Sequence, residues 1–146
     1  GRPLLAGSRD ILRFAEQLAA ARPRQAGTAV VCMGHGTEHF ANAAYPALQT
    51  ALRLSGREDI LIGTVEGWPG LEDVLRQLRA PCAVQLLPLM LVAGDHARND
   101  MSVAWKGALE RAGHRVRCGF TGLGELAWVQ DMYREKVLET LEQAGQ

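Results

Sequence analysis

The chain has 146 residues, a length that fits one domain, and its 47% apolar and 22% charged content is ordinary for a globular protein. Sixteen basic residues balance sixteen acidic ones, and the arginines are scattered over helical surfaces, so no basic patch points to nucleic acid. No apolar stretch reaches the ~20 residues of a membrane-spanning helix, which argues against a membrane partner.

Residues 1–5 read like the tail of a strand. Ser8 then stands as an N-cap before Ile11, Leu12, Phe14, Ala15, Leu18 and Ala19, which recur at helical spacing until Pro23 stops the helix. Thr28 to Met33 is a short β-branched apolar run, read as a buried strand. A helix follows from about Ala41 to Leu54 and closes at Ser55-Gly56. Ile60 to Val65 is a second strand, and Gly70-Leu71-Glu72-Asp73 opens a helix running to about Leu78. Ala83 to Leu91 is the third and strongest strand, interrupted by Pro88. A long helix begins near His96 or Arg98 and ends at Ala112-Gly113. His114 to Phe120 reads as a fourth strand near the edge, because Arg115 and Arg117 alternate with Val116 and Cys118. A last amphipathic helix spans about Leu126 to Gln143.

Strands alternating with helices predict an α/β fold: a doubly wound, flavodoxin-like parallel sheet of four strands with helices on both faces. There is no internal repeat, low-complexity tract or linker, so residues 1–146 read as a single domain. Cys32, Cys82 and Cys118 lie in or beside strands and form no Cys-x-x-Cys pair, so packed free thiols are expected.

Three polar motifs follow the strands directly. They are Met33-Gly34-His35-Gly36-Thr37, Thr64-Val65-Glu66-Gly67, and Ala93-Gly94-Asp95-His96-Ala97-Arg98-Asn99-Asp100-Met101. In an open α/β sheet, residues just past the carboxyl ends of the strands line the ligand crevice. The motifs therefore deliver His35, Glu66 and His96 to one sheet edge. Two imidazoles and a carboxylate are a common ligand set for a divalent transition metal. Asp95 is a candidate helix cap, and Asp100 is placed to orient a histidine through a hydrogen bond. Trp68, beside Pro69, is suited to covering a flat ligand. His39 reads as a first-turn surface histidine and His114 as solvent-exposed, while Trp105 and Trp128 fall at core spacing. No Gly-x-Gly-x-x-Gly, Walker-type loop or Gly-x-Ser-x-Gly elbow is present, which leaves nucleotide-dependent and serine-hydrolase readings without support.

The segments VVCMGHGTEH, IGTVEGWP, LPLMLVAGDHARNDM, the Trp105-Lys106 pair and TGLGE run in order through nearly the whole chain. With them the sequence resembles the anaerobic sirohydrochlorin cobaltochelatases of cobalamin biosynthesis, a class II chelatase family. The resemblance implies insertion of Co2+ into sirohydrochlorin, with no nucleotide and no organic cofactor. It implies that His35, Glu66 and His96 hold the metal, with His35 and Glu66 also catalytic. Gly34, Gly36, Trp68 and Met90 would meet the tetrapyrrole.

Family chains are about twice as long, so the resemblance implies the second half of a two-domain enzyme. Its cleft would be completed by a first half or by a second copy in a homo-oligomer. The family also carries a longer acidic loop where only Ser102, Val103 and Ala104 here separate Met101 from Trp105. The cytoplasm is the default location, with an export signal before Gly1 left open. An iron or nickel chelatase, a non-catalytic metal or tetrapyrrole-binding module, and a plain flavodoxin-like domain whose polar strand ends are caps stand as alternatives.

Overall fold

The computed structural model describes Leu5 and residues 7–145. The strand tail expected over residues 1–5 lies, Leu5 apart, outside them. The elements are α1 (Ser8–Ala21), β1 (Thr28–Gly34), a 3-10 turn (Phe40–Ala43), α2 (Ala44–Leu54), β2 (Ile60–Thr64), α3 (Leu71–Gln77) and β3 (Ala83–Pro88). After them come α4 (Asp95–Asn99), a π-helical segment (Asp100–Trp105), α5 (Lys106–Arg111), β4 (Arg115–Cys118), a 3-10 turn (Leu123–Glu125) and α6 (Ala127–Ala144).

The four strands form one parallel sheet in the order β2-β1-β3-β4. Alternation along β1 divides the core between the two faces. Val30 and Cys32 pack with Phe14, Leu18, Leu48, Leu52, Val129 and Met132 from α1, α2 and α6. Val31 and Met33 pack with Val74, Met101, Trp105 and Leu109 from α3, the π segment and α5 on the opposite face. Phe14 meets Trp128 edge-on at 5.1 Å between ring centres, so both expected core tryptophans are packing residues. Leu12 alone of the predicted α1 stripe is left largely in solvent. The doubly wound α/β layout is the one the pattern predicts.

Several details differ from expectation. Ser8 is the first helical residue and Gly7 caps α1; likewise Gly94 caps α4 and Asp95 begins it. β3 ends at Pro88 rather than Leu91, because proline offers no N–H to continue the ladder. Leu91 and Val92 then emerge as an exposed loop, pinned by Leu123 and Gly124 N–H groups donating to the Met90 and Leu91 carbonyls at 2.6 and 3.0 Å. The long helix runs from Asp95 to Arg111 with its middle turn in π geometry, and Met101 and Trp105 of that turn are buried in the core.

His114 is buried, not exposed: Gly113, at φ +98°, turns the chain back after α5, and the Cys82 N–H donates to His114 Nδ1 at 3.2 Å. The three cysteines are free, and burial pushes the Cys32 thiol up to about 12. Among the described residues no helix is long and apolar enough to cross a membrane.

Candidate functional site

The site begins where β1 and β2 end side by side. Gly34 lies opposite Thr64 in the sheet register. The pairing continues past the strands, because Val65 N–H donates to the Gly34 carbonyl at 3.0 Å and Glu66 N–H donates to the His35 carbonyl at 2.8 Å. The two motifs therefore advance in step, and the side chains meet: His35 Nδ1 stands 3.6 Å from Glu66 Oε2. Both side chains are largely in water, at 65% and 64% exposure. An ion pair that exposed contributes little to folding, and the two groups are open to an incoming ligand.

The backbone around them is tightly specified. Gly36 sits at φ +78°, and an added Cβ would fall 2.6 Å from the Thr64 Cβ and 2.7 Å from the Gly67 nitrogen. The space beside Gly34 is filled by the Tyr45 ring. Both glycines thus have packing reasons for lacking a side chain.

Two polar residues hold the loops: Thr64, which opens the second motif with no role read for it, and Asn42, which drew no notice in the sequence. Thr64 Oγ1 donates to the Pro69 carbonyl at 2.8 Å and accepts from Gly67 N–H at 3.1 Å, closing the Glu66–Trp68 loop on itself. Asn42 accepts from Thr37 N–H at 3.0 Å and donates through Nδ2 to the Trp68 carbonyl at 2.5 Å, so it ties the His35 loop to the Trp68 loop. The only signal for Asn42 was an amide in the turn ahead of a helix; its partners lie 5 and 26 residues away.

Beside the His35–Glu66 pair opens a cleft of about 530 Å3, whose lining includes His39, Phe40, Asn42, Glu66 and Trp68. Trp68 is 64% exposed and Phe40 fully so. His39 caps the 3-10 turn and is exposed.

His96 lies in the first turn of α4, past the carboxyl end of β3, with its side chain in solvent. The structure brings together His35 and Glu66 but not the full trio: among the described residues no group of three His, Cys, Asp or Glu side chains is close enough to hold a metal ion. Asp95 is exposed and Asp100 half-buried, and among the described residues neither is hydrogen-bonded to a histidine ring. Arg98 anchors this segment instead, donating from Nε to the Ala93 carbonyl at 3.0 Å and lying 5.5 Å from the centre of the Phe120 ring. Met90 is half-buried against the α3 and α5 face.

A four-stranded parallel sheet with its polar loops at the carboxyl edge defines a doubly wound α/β protein that carries a site at its strand ends. In fold it is similar to a cobalamin (vitamin B12) biosynthesis CbiX protein from Marinobacter aquaeolei VT8, with a TM-score of 0.65, 22% identity, and coverage of 80% of this chain and 98% of that one. The cobalt chelatase (CbiK) family matches residues 1–142, and the chain belongs to that family.

The chain is 36% identical over 154 aligned positions to the sirohydrochlorin cobaltochelatase of Salmonella typhimurium, covering 99% of this chain and 57% of the relative. It is 39% identical over 143 positions to the sirohydrochlorin cobaltochelatase CbiKC of Nitratidesulfovibrio vulgaris, covering 91% and 50%. The chain spans about half the length of the curated relatives it matches.

Proposed function

We propose that this chain carries the metal-handling half of a sirohydrochlorin cobaltochelatase, a lyase that inserts Co2+ into sirohydrochlorin in anaerobic cobalamin biosynthesis. The observation that carries the reading is the exposed His35–Glu66 pair at 3.6 Å, open to an aromatic-lined cleft at the carboxyl edge of the sheet. Cobalt is here a substrate, and no organic cofactor enters the scheme.

Insertion forms four metal–nitrogen bonds and releases two protons from pyrrole nitrogens. His35 is suited to take them one at a time once its ring nitrogen has released the cation to the macrocycle, since this side chain reaches solvent to pass each proton on. Glu66 offers an anionic oxygen beside it, which offsets the charge of the arriving cation and serves as a ligand. His96, exposed on the neighbouring strand-end loop, is the third ligand in this reading. The flat substrate lies against Trp68 and the backbone of Gly34, Gly36 and Met90.

A chain of half the length of its relatives supplies one wall of a cleft; a preceding half or a second copy supplies the other. The cytoplasm is the matching compartment for a soluble substrate and free thiols. Imidazole and carboxylate also accept iron or nickel, so a metal-competition assay and not the ligand type decides the metal.

The test is cobalt insertion into sirohydrochlorin, followed by the change in its visible absorption, with this chain beside a His96→Ala variant. Insertion lost in the variant supports a chelatase built by this chain alone or its oligomer. Cobalt binding that depends on His96 without insertion supports a metal-binding module lacking its second wall. Neither insertion nor binding sinks the metal assignment.

A further inference from the structure

We propose that Phe40 and Trp68, bared on one cleft, lie against one conjugated face of the tetrapyrrole, and that Phe40 strengthens this chain's grip on it. This rests on the chelatase reading above and goes past it by naming the contact surface.

Phe40 opens the 3-10 turn and is completely exposed, and Trp68 is 64% exposed. Rings of this size gain strongly from leaving water, so two of them bared on one cleft form a surface for a flat apolar partner. They line the same ~530 Å3 space, which has room for part of a macrocycle.

The loops that carry them are joined before any ligand arrives. Asn42, two residues past Phe40, holds the Trp68 carbonyl through Nδ2 and the Thr37 N–H through Oδ1. A preorganised slot loses little freedom on binding.

Charge says which part of the ligand enters. The lining carries Glu38 and Glu66 and no lysine or arginine. Carboxylate side chains are repelled from such a slot, so a polycarboxylate tetrapyrrole must enter by its uncharged conjugated face with its acidic rim outward. Glu66 belongs to both the slot and the pair with His35, so the face that rests on the slot also turns the macrocycle's central nitrogens toward the group proposed to take their protons.

The experiment compares the full chain with Phe40→Ala, Phe40→Tyr and Trp68→Leu. It reads sirohydrochlorin binding by quenching of tryptophan emission, and cobalt insertion at steady state. Trp105 and Trp128 remain in every variant as reporters of a bound tetrapyrrole, so binding by Trp68→Leu is read from their quenching. The expected result is an affinity loss and a KM rise of about fivefold to tenfold in Phe40→Ala, with kcat held within about twofold and Phe40→Tyr restoring the value. Wild-type binding and insertion with unchanged KM in Phe40→Ala overturn the proposal and leave the chelatase reading standing. A Phe40→Ala defect that vanishes on raising protein concentration also overturns it, by assigning the ring to a protein interface. A wild-type chain that binds cobalt but not sirohydrochlorin overturns the proposal and leaves the metal-binding half standing, whereas one that binds neither removes the chelatase reading and this proposal together.

Discussion

His35 and Glu66 meet side chain to side chain at 3.6 Å, on loops whose backbones are already joined by the Glu66 N–H and the His35 carbonyl. Two groups that exposed add at most about 1 kcal/mol to stability as an ion pair. His35→Ala and Glu66→Gln are therefore expected to keep the wild-type melting temperature to within about 4 °C. The same variants should lose cobalt insertion by about 100-fold or more, as expected when a proton acceptor or a ligand is removed. Calorimetry beside the absorption assay checks both halves. A large drop in melting temperature would mean that the pair is structural.

Asn42 touches neither the His35 nor the Glu66 side chain in its hydrogen bonds, yet it spans their two loops. Asn42→Ala removes two hydrogen bonds at a half-exposed position and should cost about 1–2 kcal/mol in denaturant unfolding. Its larger effect should fall on function, because a loop displaced by 1 Å can cost about 100-fold in rate. Thr64→Val, which keeps the shape and removes the hydroxyl, should act in the same direction through the Pro69 and Gly67 contacts. Activity that tracks stability alone in both variants would refute the positioning role.

The strand–helix alternation, the four parallel strands and the split of the core between two faces were legible because periodicity reports burial directly. So was the delivery of three polar motifs to one sheet edge. Contacts distant in sequence were not legible. Nothing local marks Asn42 as the link to Trp68, and nothing around His114 announces that Cys82 N–H will meet its ring 32 residues away. The π geometry over Asp100–Trp105 was hidden for a related reason: a 3.6-residue pattern accommodates one wide turn without breaking, and Met101 and Trp105, four residues apart, share a face in an ordinary α-helix as well. Proximity of His35 to Glu66 followed from strand order, whereas the placement of His96 depends on a loop after Pro88 that no periodicity governs.

Gln49 shows how the edge of the sheet is closed. Its amide is buried, donating from Nε2 to the Ile60 carbonyl at 2.9 Å and accepting at Oε1 from the Ile62 N–H at 2.7 Å. β2 is an edge strand, and these two groups have no neighbouring strand to pair with. Gln49→Leu fills the space but orphans a buried donor and acceptor, and should cost about 2–4 kcal/mol in urea unfolding. Loss below 1 kcal/mol, with unchanged hydrogen exchange at Ile62, would show that water replaces the amide.

Arg57 and Asp59 fasten α1 to the start of β2. The guanidinium donates to both Asp59 carboxylate oxygens at 2.9 and 3.0 Å, to the Ala19 carbonyl at 2.8 Å, and to the Arg22 carbonyl. It thereby satisfies carbonyls that the end of α1 leaves open. These hydrogen bonds hold the Asp59 carboxyl below its ordinary range, with Arg24 adding a weaker attraction at 3.7 Å. A carboxyl that is more acidic folded than unfolded contributes stability at pH above its unfolded value and loses it as pH falls through the folded one. The contribution of Asp59 should thus be constant with pH near neutrality and fall away below about pH 4. Asp59→Asn should cost about 1–3 kcal/mol at pH 7, with that cost shrinking as the pH drops below about 4, so the two unfolding curves converge in acid. Parallel curves down to pH 2 would show that the carboxylate's charge is not what holds Arg57 in place.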